Sequence, residues 1–213
     1  MRTLVAAGVT SIALLSCAAL TSSVLAAEPV KMYPFEKATL TYVVTGAQQG
    51  TQTIYIKDYG RITAQHYEAT VPSRQGTQQI NVSTFTDPEW IYTYDFEGKQ
   101  GTRSPNEQTA AAASAKSGLD FFEKMTVARG GKRAGTDSFN GTACTVWEMG
   151  GNTGTRLCLD DRMVMQYMRT STDMMQGNVE LQSAQVGTVD ESHFKRPEAT
   201  YRDVDPSQGP PRE

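Results

Sequence analysis

The sequence has few of the residues that build metal, redox or catalytic centres. Its 213 residues include three cysteines and two histidines, and no Cys-x-x-Cys, Gly-x-Ser-x-Gly, His-Glu-x-x-His or phosphate-binding glycine loop occurs. A structural zinc site needs four ligands with short paired spacings, whereas Cys144 and Cys158 flank a turn and His66 and His193 are distant from it. We therefore expect no cofactor, and a catalytic set assembled in space around either histidine remains only as an alternative.

A basic block or stripe is also absent. The chain has 20 Lys and Arg against 23 Asp and Glu, for a formal net charge of −3. Proteins that bind nucleic acids or anionic lipid headgroups concentrate positive charge on one segment or one face. We expect no nucleic-acid partner.

The first 26 residues predict a secretory signal peptide. Arg2 precedes an apolar run over residues 4–20, and the small residues before the expected cleavage point end at Ala26. Polar residues interrupt this run, which argues against a retained membrane span of about 20 residues. The protein is therefore expected to be periplasmic or secreted, and a lipobox-like sequence at residues 14–17 leaves a lipoprotein anchored through Cys17 as the alternative.

A hairpin with one apolar face is predicted next. Two runs of alternating residues flank a turn at residues 46–50, with threonines at the odd positions. This period of two is typical of a half-buried strand pair. The apolar residues, all at even positions, are Leu40, Tyr42, Val44, Ile54 and Ile56.

The sharpest alternation places four aromatic residues on one strand face: Trp90, Tyr92, Tyr94 and Phe96. Such a face is a large apolar surface with polar tips on the tyrosines. It suits either a core face under a helix or the wall of a hydrophobic cavity, and both interpretations remain open.

One helical interruption follows. Ser104, Pro105 and Glu107 combine a serine cap, a proline at the first helical position and a glutamate three residues after the cap. The alanine-rich helix is expected to run toward Gly118, and a second short helix to end at Gly130. The alanine segment could pack closely on the sheet or form a loosely held lid.

Strand patterns resume afterwards, with a parity slip between Leu181 and Ala184 that predicts a bulge. The polar residues 201–213 are expected to form a disordered tail. With no internal repeat and no long linker, residues 27–200 predict one domain of the α+β class, built on a single curved antiparallel sheet.

Cys144 and Cys158 lie at equal distances from Gly151, inside a cluster of turn residues. A turn centred there would put the two cysteines directly opposite each other, close enough for a disulfide after a small adjustment. An exported chain that loses Cys17 with its leader keeps these two cysteines, so we expect a structural disulfide formed in an oxidising compartment.

Six methionines lie between Met149 and Met175. Met163 and Met165 share a strand face, which a Cu(I) thioether site would need, but no histidine lies nearby and Met168 has the opposite parity. Unbranched, polarizable side chains also fit variable apolar partners, so we favour packing or an adaptable cavity wall.

The order of these features resembles the LolA/LolB-type lipoprotein-carrier superfamily and its uncharacterised periplasmic relatives. The resemblance is carried by residues 135–137, by residues 141–147 with their Gly-x-x-Cys-x-x-Trp pattern, by residues 156–159, and by residues 189–194 before Pro197. It implies a half-barrel of antiparallel sheet around a hydrophobic cavity, with helices covering the open side. The family's strand arginine, which interacts with the lid, is not mapped onto Arg61 or Arg74.

The resemblance implies a non-catalytic role in binding or carrying lipid, a lipid-modified protein or another apolar ligand in the cell envelope. The candidate cavity residues are Leu40, Tyr42, Val44, Ile54, Ile56, Trp90, Tyr92, Tyr94, Phe96, Met163 and Met165. The alternatives are an envelope protein-protein interaction module with a filled core and, less favoured, a secreted hydrolase.

Overall fold

The computed structural model describes residues 30–74, 76–151, 153–172 and 176–205. The expected leader, its cleavage point at Ala26, the alternative anchor Cys17 and residues 206–213 lie outside this part of the chain.

Within it, twelve strands form one sheet in the order β12-β6-β5-β4-β3-β2-β1-β11-β10-β9-β8-β7. The strands of the first half are β1 Ala38–Gly46, β2 Gln49–Lys57, β3 Ile62–Ser73, β4 Gly76–Thr86, β5 Trp90–Asp95 and β6 Gln100–Pro105. Those of the second half are β7 Lys132–Phe139, β8 Thr142–Glu148, β9 Thr155–Leu159, β10 Met165–Ser171, β11 Gln176–Val186 and β12 Tyr201–Asp203. The helices are α1 Glu107–Ala112 and α2 Gly118–Ala128.

All pairings among β1 to β11 are antiparallel, with β1 beside β11 and with β6 and β7 toward opposite ends of the curved, unclosed sheet. The last strand, β12, pairs in parallel with β6. The two helices interrupt the strands once, between β6 and β7. The expected α+β half-barrel is therefore confirmed.

Local sequence patterns predicted the first hairpin and the bulge in β11. Leu40 faces Ile54 across β1 and β2, as the shared parity of these residues predicted, and the turn is centred on Ala47, within the expected residues 46–50. On the other side of β1, Thr41 pairs with Ser183 but Tyr42 with Leu181, which leaves one extra residue in β11. The predicted bulge is confirmed, and it keeps Leu181 on the same face as Tyr42.

The helix boundaries differ from the prediction. Ser104 and Pro105 are the last residues of β6, and Asn106 caps α1 by accepting a hydrogen bond from the backbone N–H of Gln108 at 3.2 Å. Asparagine is as good a cap as serine. The helix can therefore begin after Ser104 and Pro105 have paired with β5. The helix ends at Ala112, and Ser117 caps α2 through a bond from the N–H of Asp120.

The C-terminal segment is ordered further than predicted. Tyr201–Asp203 forms β12, which pairs in parallel with β6, so the expectation of disorder from residue 201 is wrong for these residues. Gly101 in β6 makes the approach possible, because a Cβ there would lie 2.9 Å from both a ring carbon of Tyr201 and the carbonyl oxygen of Thr200.

Candidate functional site

The first set of predicted cavity residues forms a filled core. Leu40, Tyr42 and Ile56 are exposed by 1%, 1% and 0%, and Val164 and Phe35 pack against them. We call this side of the sheet the core face. Because these side chains are packed together, the centre of the sheet has no apolar surface open to a ligand. Burial also raises the pKa of the Tyr42 phenol far above its ordinary value.

The aromatic strand lies on the other side of the sheet, which we call the opposite face. Directly paired residues share a face, and the row that starts at Leu40 continues through Ile54, Gln65 and Thr84 to Thr93. Tyr92 belongs instead to the row of Tyr55, Ala64 and Phe85. The expectation that both sets of residues look into one cavity is therefore wrong.

The C-terminal segment covers this aromatic surface. His193 stacks on Tyr55 with ring centroids 3.8 Å apart, and the Arg196 guanidinium lies 4.6 Å above the ring of Tyr92. The ring of Tyr201 meets Tyr92 edge to face at 5.2 Å. Tyr92 is consequently buried, whereas Phe96 beyond the end of β5 remains 40% exposed. No local sequence signal revealed this cover, because its contacts join residues more than 100 positions apart.

A second bulge changes the arrangement of the methionines. Met165 pairs with Leu159 but Tyr167 with Cys158, so Gln166 is an extra residue in β10. Met168 consequently shares the core face with Met165, contrary to the parity read from the sequence. Four methionines pack around the buried Trp147, Leu157 and Leu159, together with Phe122 of α2: Met149, Met163, Met165 and Met168.

The disulfide forms as predicted, but in a different register. Cys144 and Cys158 are bonded with their Cα atoms 5.4 Å apart, while Val146, not Cys144, is the direct partner of Cys158. The hairpin turn is therefore centred one residue later than Gly151. Both cysteines are buried on the opposite face with Tyr167, whose hydroxyl donates to Asp137 at 2.8 Å and lowers the pKa of that carboxyl.

One cavity lies where the helices meet the N-terminal segment, and we call it the helix cleft. It has a volume of about 230 Å³ and apolar walls from Val30, Met32, Pro88, Ala112, Ala113 and Phe121. Arg61 and Asn106 also line it, and Arg61 pairs with Asp58 at 2.8 Å. The N–H of Gly118 bonds to the carbonyl oxygen of Lys31, and a Cβ at Gly118 would lie 2.1 Å from the carbonyl oxygen of Met32. A glycine at the start of α2 is thus required for this close approach.

A larger cavity of about 360 Å³ lies by the β1–β2 turn, and we call it the turn-end cavity. Val44, Met168 and Val179 of the core face form its apolar part. Its other lining residues are uncharged: Thr45, Ala47, Gln48, Gln52, Gln65, Tyr67, Thr170, Gln176, Gly177 and Asn178. Of the eleven predicted cavity residues, Val44 is the one that lines it, and ligand contact by the others stays a prediction.

His66 forms a short hydrogen-bonded chain on the opposite face. Its Nδ1 lies 3.0 Å from Ser83 Oγ and its Nε2 lies 3.0 Å from Glu68 Oε1. The order of groups is that of a serine, a base and an orienting carboxylate, but none of the three residues lines either cavity, and the Glu68 side chain is 57% exposed. His193 is engaged with Tyr55 instead.

Metal-binding and membrane-spanning features were also sought in the described residues. They contain no group of three or more His, Cys, Asp and Glu side chains placed to share a metal ion. None of the helices in this part of the chain has the length and hydropathy to cross a bilayer.

Comparisons with known proteins support the fold. No family profile matches the chain, and no curated protein sequence matches it either. An uncharacterized conserved protein from Thermus thermophilus has a similar structure, with a TM-score of 0.50 at 10% identity over 82% of this chain and 94% of its own.

Two further solved structures are similar at lower scores. PNGF-II matches with a TM-score of 0.45 at 8% identity, over 81% of this chain, which spans 31% of PNGF-II. A putative outer membrane lipoprotein-sorting protein domain from Vibrio parahaemolyticus matches with a TM-score of 0.33 at 10% identity, over 75% of this chain and 89% of its own. These two similarities are too weak to indicate a function. The similarity to the Thermus protein supports the fold alone.

Proposed function

We propose that the protein is a non-catalytic binding protein of the cell envelope that holds an apolar ligand, such as the end of an acyl chain, in the helix cleft. The observation that supports this role is an apolar cleft lined on one side by α1, a helix with no buried residue of its own. The sequence resemblance to lipoprotein carriers points to the same class of ligand. The ligand lies under the helices rather than against the filled core around Leu40.

The cleft gains binding energy by removing apolar surface from water, at about 25 cal/mol per Å². Its volume of about 230 Å³ is below the range of about 300–1,000 Å³ typical of drug-sized ligands. It therefore accepts a chain end, and a longer chain requires α1 to move away. The alanines of α1 allow this, because they form few contacts that must be broken.

Export supports the same role. The predicted signal peptide and the disulfide between Cys144 and Cys158 both fit an oxidising compartment outside the cytosol. We propose a periplasmic or secreted protein cleaved near Ala26, and mass spectrometry of the mature N-terminus distinguishes this form from a lipoprotein acylated on Cys17.

Displacement of a fluorescent fatty acid by unlabelled fatty acid tests the proposal. Ala112→Trp fills the cleft, and we expect it to weaken binding by about tenfold or more, or about 1.4 kcal/mol. Ala110→Trp changes an exposed residue of the same helix and serves as the matched control. Absence of specific probe binding to the wild-type protein, or an equal effect of the two variants, would contradict ligand binding in the helix cleft.

A second candidate is an envelope protein-protein interaction module, which the filled core around Leu40, Tyr42 and Ile56 favours. In that case the surface of the domain, not a cavity, carries the function. Purified protein that contains no extractable lipid by native mass spectrometry and binds no apolar probe would support this candidate.

A further inference from the structure

The turn-end cavity differs from the helix cleft in position and in chemistry. It opens on the core face over five adjacent strands, β3, β2, β1, β11 and β10. Each of these strands is hydrogen-bonded to a neighbour on both sides. Their main-chain groups are therefore largely used within the sheet, and a ligand must be recognised by side chains.

The side chains at this cavity offer unused hydrogen-bonding groups. Gln52 and Gln65 are partly buried on the core face, and their carboxamides have no hydrogen-bond partner in the part of the chain that the structure describes. Each carboxamide carries two N–H donors and one carbonyl acceptor. They therefore match a ligand group that donates and accepts at the same place, as a hydroxyl or an amide does.

The same cavity lacks charge. None of its described lining residues is Asp, Glu, Lys, Arg or His. A charged ligand would lose its hydration without gaining an opposite charge, and a purely apolar chain would leave the two carboxamides without water or a partner. Both losses favour a neutral, polar ligand.

An apolar surface completes the site. Val44, Met168 and Val179 lie beside the carboxamides, and the partly buried ring of Tyr67 lines the same space. The Tyr67 hydroxyl donates to Gln48, which fixes the ring, and burial raises the pKa of this phenol so that it stays neutral. A pyranose sugar combines a C–H face for such a surface with hydroxyls at its edge.

We propose that the turn-end cavity binds one neutral saccharide unit, a hexose or an N-acetylhexosamine. Its volume of about 360 Å³ is within the range of small-ligand sites. A peptide is a poorer match, because an extended chain is usually held by main-chain bonds to an unpaired strand edge, and none of the five strands presents one. This site is separate from the helix cleft and does not depend on the function proposed for that cleft.

Saturation-transfer NMR on the purified protein, with N-acetylglucosamine and glucose as probes, tests the proposal. We expect transfer to at least one of the two sugars and weaker transfer to the charged analogue glucuronate. Gln65→Leu should weaken binding by about fivefold or more, the loss expected for one hydrogen-bonding group. Gln79→Leu alters an exposed glutamine of β4 away from the cavity and should leave binding unchanged within about twofold.

Three results would overturn the proposal. The first is no transfer to either neutral sugar at about 10 mM, a concentration that reveals even weak sites. The second is equal binding by a folded Gln65→Leu variant, with folding checked by its melting temperature. The third is displacement of the sugar by fatty acid together with tighter fatty-acid binding by Gln65→Leu. Ala112→Trp should leave sugar binding intact, so failure of one cavity is distinguishable from failure of the other.

Discussion

The sheet carries two apolar layers on its two faces, and they are built differently. The layer on the core face contains Leu40, Tyr42 and Ile56 and is sealed by residues of the N-terminal segment and the β9–β10 turn. The layer on the opposite face contains Tyr55 and Tyr92 and is sealed by the C-terminal segment through stacked rings and a guanidinium group. The first is a packed core of aliphatic and aromatic side chains, whereas the second combines apolar and charged contacts.

Along the sheet, the apolar layer passes from the core face to the opposite face. This shift explains where space for ligands remains. Along the row that begins at Leu40, the core face becomes polar from Gln65 onward, with Thr84, Thr93 and Thr102 in succession. The apolar cover of the core face ends where these residues begin. Cavities therefore lie at the borders of the filled core rather than at its centre.

The largest expected effect comes from truncating the first layer. Ile56 is fully buried, and Ile56→Ala should lower the free energy of unfolding by about 2–5 kcal/mol, because it removes buried methyl groups and leaves a cavity. Urea denaturation measures the change. Val127→Ala, at a residue that is 57% exposed, should change it by less than about 0.5 kcal/mol. A cost below about 1 kcal/mol for Ile56→Ala would contradict a filled core.

A smaller effect is expected in the second layer. Arg196 lies over the rings of Tyr92 and Tyr201, and Arg196→Ala should cost about 0.5–2 kcal/mol through loss of the cation–π contacts and of packing by its stem. Arg202→Ala, at an exposed position of β12, is the control in the same denaturation experiment. If the two arginine variants unfold alike, the C-terminal segment does not seal the aromatic surface as described.

The smallest effect is a pH dependence of that cover. Glu191 accepts from Lys37 at 2.8 Å and also pairs with Lys57, and these bonds hold the pKa of its carboxyl below the ordinary value. The stabilisation is present above the unfolded-state pKa of about 4.3 and is lost as the pH falls through the lower folded-state pKa. Between about pH 5 and pH 3, the melting temperature of the wild type should therefore fall more than that of Glu191→Gln. Parallel curves for the two proteins would show that the pair contributes nothing.

Much of the local structure could be predicted from the sequence. The alternation around Leu40 and Ile54 predicted the hairpin, the parity slip before Ala184 predicted the bulge, and the two cysteines predicted the disulfide. Each of these rests on residues close together in the chain, where the period of a strand and the geometry of a turn leave few alternatives. The helix cap is Asn106 rather than the predicted Ser104. Both residues are good caps, so the local sequence did not distinguish them.

The candidate site was predicted less well. Alternation shows that Trp90, Tyr92 and Tyr94 share a face. It does not show which face of the sheet that is, because the alternating pattern is the same for either face. A one-residue bulge at Gln166 reversed the side of Met168, and a single bulge leaves little trace in the sequence pattern. The carboxamides of Gln52 and Gln65 belong to neighbouring strands and meet Val44, Met168 and Val179 only through the strand order.

The sequence by itself determined the class of the fold, the two faces of the first hairpin and the covalent link between Cys144 and Cys158, since these depend on local periodicity and on the chemistry of two thiols. Tertiary structure decided which apolar face is filled, that the C-terminal segment closes the other one, and where the two cavities lie. Those features depend on contacts between residues far apart in the chain, where packing and strand register, rather than local preference, set the free energy.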